Sequence, residues 1–224
     1  MEAPGLSNPI AIFPLPSTVF FPQTVLPLHI FEPRYLKMIS DSQAGNQLIG
    51  MVLLDPGWES SYYEIPKIKQ IGCVGRIEKI VSLPDGKFNI ELTGLSRFKI
   101  LEEIGGEPYR RANVEFLSEI NDDKSDGELA NKAKSQFSEW MRIHPKIKDS
   151  PNNPLKMIER ANALSKVIDK IAYGMDFKMD QKQAILEETD VNKRTTFVMT
   201  ELEVKLRILK FSQGAPDSFD ARLN

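Results

Sequence analysis

The chain has 224 residues, of which 29 are basic and 31 acidic, and its net charge of -2 and pI of about 5.8 argue against a strong electrostatic grip on nucleic acid or an anionic membrane. One cysteine, Cys73, excludes an internal disulfide and favours a reducing compartment. No apolar stretch reaches the ~20 residues of a membrane span, and residues 1–9 lack the pattern of a secretory signal. We therefore expect a cytoplasmic protein.

The first half of the chain consists of short apolar runs separated by prolines and turn residues. Because proline donates no backbone hydrogen bond and fixes φ, the runs between prolines predict short strands. A helix is predicted from Pro33 to about Asp41, since proline is tolerated in a first turn. The predicted strands are Ile10–Phe13, Val19–Phe21, Leu26–Phe31, Gln47–Leu54, Gly72–Leu83, Phe88–Leu92, Arg97–Ile104 and Arg110–Glu119. Many short strands with turn-spaced breaks favour a small barrel or a folded-over sheet.

At about Asn121 an acidic linker, NDDKSDGE, begins, and after it the apolar period changes from two to about 3.6. Four helices are predicted: one carrying Leu129, Ala133, Phe137 and Trp140 on one face, one from Pro154 to Gly174, a short one opened by a capping box of Asp180 and Gln183, and a last one capped by Asp190. The sequence thus predicts α+β architecture, with a β-rich subdomain over residues 8–120 and an α-helical bundle over residues 125–213.

Motifs for catalysis and metal binding are missing from the sequence. No G-x-x-x-x-G-K-[ST] phosphate-binding loop occurs, and Ser165 and Lys166 are adjacent on a helix and point in different directions. Two histidines and one cysteine give no zinc spacing. Cys73 and His29 are therefore predicted to be structural, and we expect no catalytic residue, no metal and no cofactor.

The loop over residues 55–70 is the best candidate for a binding surface. Trp58, Tyr62 and Tyr63 lie in it without the periodicity that would bury them. Exposed aromatic groups often mark binding surfaces. We predict that these three residues bind peptides; packing of the loop over the barrel rim is the equally favoured alternative.

Four motifs in order resemble one family. IAIFPLPSTVFFPQTVLPLHIFEPRY, IGCVGRI, LPDGKFNIELTGLSRFKI and QKQAILEETDVNKRT, followed by a long last helix, resemble the N-terminal substrate-recognition domain of the Lon ATP-dependent protease over residues 10–211. The HIFEPRY segment is most similar to stand-alone members, which lack the ATPase and protease parts. The resemblance implies a PUA-like β-pseudobarrel followed by a C-terminal helical bundle.

Two pairs of residues match the family's structural motifs. Gly94 and Arg97 match a G-x-x-R segment, in which the glycine would permit a bulge or a close backbone approach and the arginine would tie a strand end to a carboxylate. Glu32 and Arg34 match a charged pair that flanks a proline turn, and we expect this pair to fix the helix to the barrel.

The function expected from these features is a non-catalytic recognition module or adaptor that binds unfolded protein segments or exposed hydrophobic ones. A separate protease or ATPase and a weak homodimer are the further partners expected, and nucleic acid and membranes are not. One alternative is an N-terminal fragment of a full-length Lon protease, against which the Met1 start and the GAPDSFDARLN ending argue. Another is a PUA-like binder of nucleic acid or a small ligand, which the acidic pI disfavours.

Overall fold

In the part of the chain that the structure describes, a sheet of six strands is followed mainly by helices. The computed structural model describes residues 8–61, 65–105, 108–121, 127–143, 158–159, 161 and 163–214. The strands are β1 (Ile10–Leu15), β2 (Val25–Ile30), β3 (Leu48–Leu53), β4 (Ile71–Ser82), β5 (Phe88–Ile104) and β6 (Arg110–Phe116). The helices are α1 (Pro33–Ala44), α2 (Gly127–Ile143), α3 (Leu164–Gly174), α4 (Met179–Glu187) and α5 (Val191–Gly214). The α+β class predicted from the sequence is confirmed.

The long strand β5 closes the sheet into a pseudobarrel. The strand order is β2-β5-β4-β3-β1-β6, and β5 also pairs with β6. The first part of β5 pairs with β2 and the last part with β6, so β5, β4, β3, β1 and β6 form a ring. The sequence predicted two strands here, which is wrong. The register shifts between Val74, which pairs with Ser96, and Gly75, which pairs with Gly94. The extra residue between Gly94 and Ser96 forms a bulge, so the strand continues through this segment.

Two prolines lie inside strands: Pro14, which follows the predicted strand Ile10–Phe13, and Pro27, which lies within the predicted strand Leu26–Phe31. Pro14 lies beyond Ile10–Ile12, the residues of β1 that pair with β6, and Pro27 lies in the edge strand β2. Each proline therefore has a paired strand on one side only, and its missing N–H does not interrupt the sheet. The strand predicted at Val19–Phe21 is also wrong, because these residues are buried in an irregular segment.

The core consists of two apolar clusters. The smaller one contains residues from all five strands of the ring and therefore fills the interior of the barrel; its members include Ile12, Val52, Val74, Phe98 and Val114. The larger one covers the outside of the barrel and continues into α1 and the later helices. Every residue of β3 is buried, because alternate side chains enter different clusters. One apolar core thus crosses the proposed boundary at residues 120–125, and the division into two subdomains stays a prediction.

Two of the later helices, α3 and α4, begin at other residues than predicted. Ala163 is extended, with φ -99° and ψ 143°, so α3 begins at Leu164 and not near Pro154; residues 154–157 lie outside the described residues. α4 begins at Met179, and the Gln181 side-chain oxygen accepts the backbone N–H of Lys178, the residue before the helix, at 3.1 Å.

The predicted cap of the last helix is confirmed. Asp190 Oδ1 accepts the backbone N–H of Asn192 at 2.9 Å and that of Lys193 at 3.3 Å. The predicted box of Asp180 and Gln183 is wrong because Gln183 is buried and donates to the backbone oxygen of Ile71 at 3.0 Å.

Candidate functional site

A concave surface lies on the outer side of β2, β5 and β4. Its volume is about 480 Å³. The strand register sets its outward side chains in two cross-strand rows, His29–Asn89–Val81 and Pro27–Glu91–Lys79. We call this surface, with the neighbouring Phe31, the ribbon face.

The ribbon face combines exposed apolar groups with polar ones. Phe31 is 57% exposed and Val81 41% exposed. The Phe31 ring stacks on His29 with a centroid distance of 6.0 Å, and His29 Nδ1 lies 2.8 Å from Asn89 Oδ1. Apolar area with a few placed polar groups is the composition that ligand-binding surfaces use.

The outer edge of β2 borders the ribbon face. Among the described strands, β2 pairs with β5 alone. The Tyr173 hydroxyl donates to the Val25 backbone oxygen at 3.1 Å, and Pro27 has no N–H to offer. An extended segment added to this edge would therefore find backbone partners mainly toward Ile30.

The loop over residues 55–70 differs from the sequence prediction. Trp58 begins a 3-10 turn, is half-buried and packs against the cluster inside the barrel. Tyr62 and Tyr63 lie outside the described residues. Ile65, in the same loop, is 77% exposed. The packing of Trp58 is the alternative that the sequence left open, and the peptide-binding role of these aromatic residues stays a prediction.

Arg97 joins the barrel to the helices through a buried ion pair. Its side chain is 1% exposed and its two terminal nitrogens contact the two Asp169 oxygens at 2.8 and 2.6 Å. Arg97 Nη1 also donates to Glu119 at 3.1 Å, and its Nε donates to the Leu186 backbone oxygen at 2.9 Å. Arg97, a residue of β5, thereby contacts Glu119 before α2, Asp169 within α3 and Leu186 near the end of α4.

Arg194 completes this cluster from the first turn of α5. Arg194 Nη2 lies 2.5 Å from Glu119 Oε1 and its Nη1 donates to the Glu188 backbone oxygen at 2.7 Å. Its Nε lies 3.1 Å from Asp169 Oδ1, at an angle that makes it an ion pair without a hydrogen bond. Two guanidinium and two carboxylate groups give a cluster without net charge. We call these four residues, Arg97, Glu119, Asp169 and Arg194, the charge quartet.

Burial and charge act in opposite directions on Arg97. Burial by itself lowers the pKa of the guanidinium, but the Asp169 and Glu119 carboxylates more than offset this, so the pKa lies above its ordinary value. Arg97 therefore stays charged and serves as a fixed cation. This arrangement holds two parts of the molecule together.

The other motif residues also have structural contacts. A Cβ on Gly94 would lie 2.2 Å from the Phe21 backbone oxygen, so this position requires glycine. Glu32 Oε2 accepts from Arg34 Nε at 2.9 Å, and the Arg34 guanidinium lies over the Tyr35 ring at 4.7 Å. Glu32 and Arg34 thus pair with each other at the start of α1.

Sequence reasoning missed Asp169 and Arg194. Both lie at positions of their helices where the neighbouring turns are apolar, with Arg194 between Val191 and Val198 on the buried stripe of α5. A charged residue on an otherwise apolar stripe was the signal, because such a residue needs a buried partner.

Reactive and metal-binding groups are few in the described part of the chain. Cys73 is buried, and this burial raises the pKa of its thiol far above the ordinary value. Within the described residues no group of three or more His, Cys, Asp or Glu side chains is placed to hold a metal ion. None of the described helices has the length and apolar character that crossing a bilayer requires.

Comparison with known proteins gives consistent matches in sequence and in structure. The model of the ATP-dependent protease La (LON) substrate-binding domain matches residues 9–204. The Lon protease of Flavobacterium johnsoniae is 30% identical over 206 residues, which are 90% of this chain and 24% of that protein. The Lon protease of Anaeromyxobacter dehalogenans is 29% identical, over 91% of this chain and 24% of that protein. The chain thus spans about a quarter of the length of these curated relatives.

Two solved structures have the same fold. The crystal structure of a Lon N-terminal domain protein from Xanthomonas campestris has a TM-score of 0.63 at 20% identity, covering 87% of this chain and 98% of that one. The N-terminal domain of the Lon protease of the Mycobacterium avium complex has a TM-score of 0.66 at 15% identity, covering 88% and 98%. With the family match over residues 9–204, this chain belongs to the Lon substrate-binding domain family.

Proposed function

We propose that this chain recognises unfolded protein segments or exposed hydrophobic ones and catalyses no reaction itself. The observation that carries the proposal is the match of residues 9–204 to the substrate-binding domain of Lon. The absence of a phosphate-binding loop motif from the sequence supports it.

The ribbon face is the surface we propose for this recognition. An unfolded segment would pack apolar side chains on Phe31, Pro27 and Val81, while Asn89 and the end of β2 offer hydrogen bonds to its backbone. The contacts are few and partly polar. We therefore expect dissociation constants in the micromolar range, equivalent to about -8 kcal/mol.

The loop of Trp58, Tyr62 and Tyr63 is the second candidate surface. The exposure of Ile65 in this loop supports it, since a large apolar side chain there is available to a partner. The half-buried position of Trp58 argues for the ribbon face first.

A fluorescence-anisotropy titration with a labelled, permanently unfolded polypeptide tests the function. We expect saturable binding to the unfolded chain, and none to a folded protein of similar size or to an RNA. Binding to the RNA that weakens with salt would favour the nucleic-acid alternative. No binding to any of the three would contradict the proposal.

A pair of variants locates the surface. Phe31→Ser should weaken binding roughly tenfold, because truncating an exposed aromatic contact costs about 1.4 kcal/mol. Leu101→Ser is the matched control, since Leu101 is 62% exposed on β5 outside the ribbon face. If Trp58→Ala weakens binding and Phe31→Ser does not, the loop is the binding surface.

A finer proposal concerns the setting of this activity. We propose that the chain acts in the cytoplasm as an adaptor beside a separate ATP-dependent protease, because its relatives carry this domain within Lon proteases. Co-purification of such a protease with the tagged chain under native conditions supports the proposal. Its absence, with unfolded clients still bound, would limit the function to binding.

A further inference from the structure

Helix α5 has apolar side chains on two opposite sides. The buried side packs on the core and includes Val191, Val198, Leu202 and Leu206. The other side faces solvent and contains Phe197, 39% exposed, Val204, 47%, Ile208, 61%, and Phe211, 80%. We call these four exposed residues the outer stripe.

The outer stripe follows one side of the helix, with Thr200 between Phe197 and Val204. Its members follow one another at spacings of seven, four and three residues, which place them on one side of an α-helix. The stripe from Phe197 to Phe211 is about 21 Å long at 1.5 Å per residue. Phe197 also contacts Phe177, with ring centroids 6.2 Å apart, which fixes one end of the stripe against the bundle. A stripe of this kind is a surface for another helix.

Charged residues flank the outer stripe in the same order on both sides. One flank carries Glu201 and then Lys205, and the other carries Glu203 and then Arg207. When two identical helices pack antiparallel about Val204, each flank faces the same flank of the partner in reversed order. Glu201 then approaches Lys205 and Glu203 approaches Arg207, and these four opposite-charge approaches outnumber the two in which Glu203 and Lys205 approach their own copies. In a parallel pair each flank faces the opposite flank, and Glu201 then approaches Glu203. The charges therefore favour the antiparallel arrangement.

We propose that the outer stripe is the interface of a homodimer in which two copies of α5 pack antiparallel about a two-fold axis at Val204. In this register Phe197 of each copy lies opposite Phe211 of the other, and Ile208 lies opposite Thr200. The apolar residues match because Phe197 and Phe211 are equally distant from Val204 in the sequence.

The size of the stripe indicates a weak dimer. Four partly exposed side chains bury much less than the ~800 Å² per partner of a standard interface. Within the chain Lys205 lies 3.0 Å from Asp176 and Glu203 lies 3.9 Å from Lys132. In the dimer these two side chains would divide their contacts between their own chain and the second copy. We therefore expect a dissociation constant of the dimer of roughly tens to hundreds of micromolar.

Sedimentation equilibrium over a wide concentration range tests the interface. Wild type should shift from monomer toward dimer, and Ile208→Lys should remain monomeric at the same concentrations. Leu101→Lys introduces the same charge at an equally exposed apolar site and should dimerise like wild type. A monomeric wild type at millimolar concentration, or equal loss of dimer in both variants, would overturn the proposal.

Cross-linking tests the orientation. A Phe197→Cys chain mixed with a Phe211→Cys chain should form a disulfide-linked heterodimer under mild oxidation, while neither chain alone should cross-link. The native Cys73 is buried and does not interfere. Circular dichroism is the control that checks whether both variants are folded. Cross-links formed by the Phe197→Cys chain with itself would show a parallel pair and overturn the antiparallel arrangement.

Discussion

The junction between barrel and helices and the outer surface of the molecule have opposite polarity. The junction buries the charge quartet, with Arg97 and Arg194 almost fully enclosed. The ribbon face and the outer stripe expose large apolar groups such as Phe31 and Phe211. A rigid recognition module is expected to combine buried ion pairs, which fix its geometry, with exposed apolar groups, which can bind a partner.

The charge quartet specifies how the parts fit together more than it stabilises them. A buried ion pair contributes little net stability relative to apolar packing, but removal of one partner leaves an uncompensated charge. The planar guanidinium of Arg97 contacts both oxygens of Asp169, a geometry that a lysine does not reproduce.

Arg97→Ala is expected to have the largest effect on the junction. It removes the bidentate partner of buried Asp169, and we expect the free energy of unfolding to fall by about 3–5 kcal/mol in urea denaturation. Lys87→Ala breaks the exposed pair with Asp85 and is the control, with an expected change below about 1 kcal/mol. Equal losses in the two variants would contradict the role given to the quartet.

Gly94→Ala tests the close approach that shapes the barrel. The added Cβ would lie 2.2 Å from the Phe21 backbone oxygen, so the backbone must shift. We expect a loss of about 1–3 kcal/mol in the same measurement. A Cβ on Gly105 meets nothing within 4 Å, and Gly105→Ala should therefore leave the urea midpoint nearly unchanged. If both substitutions leave the urea midpoint unchanged, the backbone at Phe21 can shift without loss of stability.

Asp190 gives the helical part a dependence on pH. Partial desolvation raises its pKa, but hydrogen bonds from the backbone of Lys193 and Asn192 and from the Asn121 side chain outweigh this and lower it below 3.8. A lowered folded-state pKa means that the stabilisation is full at neutral pH and is lost as the pH falls through the folded value.

The test of this dependence compares wild type with Asp190→Asn. Asparagine keeps a capping oxygen but has no charge. We expect a lower urea midpoint for the variant at pH 7 and a difference that shrinks as the pH falls below 3.8. A difference that stays constant between pH 7 and pH 3 would contradict the assignment.

The smallest expected effect concerns the labelling of Cys73 by thiol reagents, which reports on opening of the core. Burial raises the pKa of its thiol and excludes reagents, so we expect no labelling of the native protein at neutral pH. In Arg97→Ala the labelling rate should rise with the population of unfolded molecules. Fast labelling of wild type would mean that the core of β4 opens without global unfolding.

Local patterns predicted most of the fold, and contacts distant in sequence account for the misses. The periods of two and 3.6 predicted the strands and the core side of α5, because burial on one side of an element sets its period. The sequence predicted a break between Leu92 and Arg97, although β5 continues through it; the close approach to Phe21 that was expected of Gly94 occurs inside the strand.

The candidate surfaces were less predictable. Phe31, His29 and Val81 come from three separated segments, and only the strand register brings them to one face. The aromatic residues of the loop over residues 55–70 were predicted to bind peptides because no periodic pattern indicated their burial. Trp58 nevertheless packs on the barrel core, a contact that local composition does not reveal.

The central claim is that the ribbon face binds unfolded protein segments, and NMR chemical-shift mapping tests it most directly. The ¹⁵N-labelled chain is titrated with a permanently unfolded polypeptide, and backbone amide shifts are followed. We predict saturable shifts concentrated at β2, at Phe31 and at the facing ends of β4 and β5. Shifts confined to other surfaces, or no shifts at millimolar polypeptide, would contradict the account.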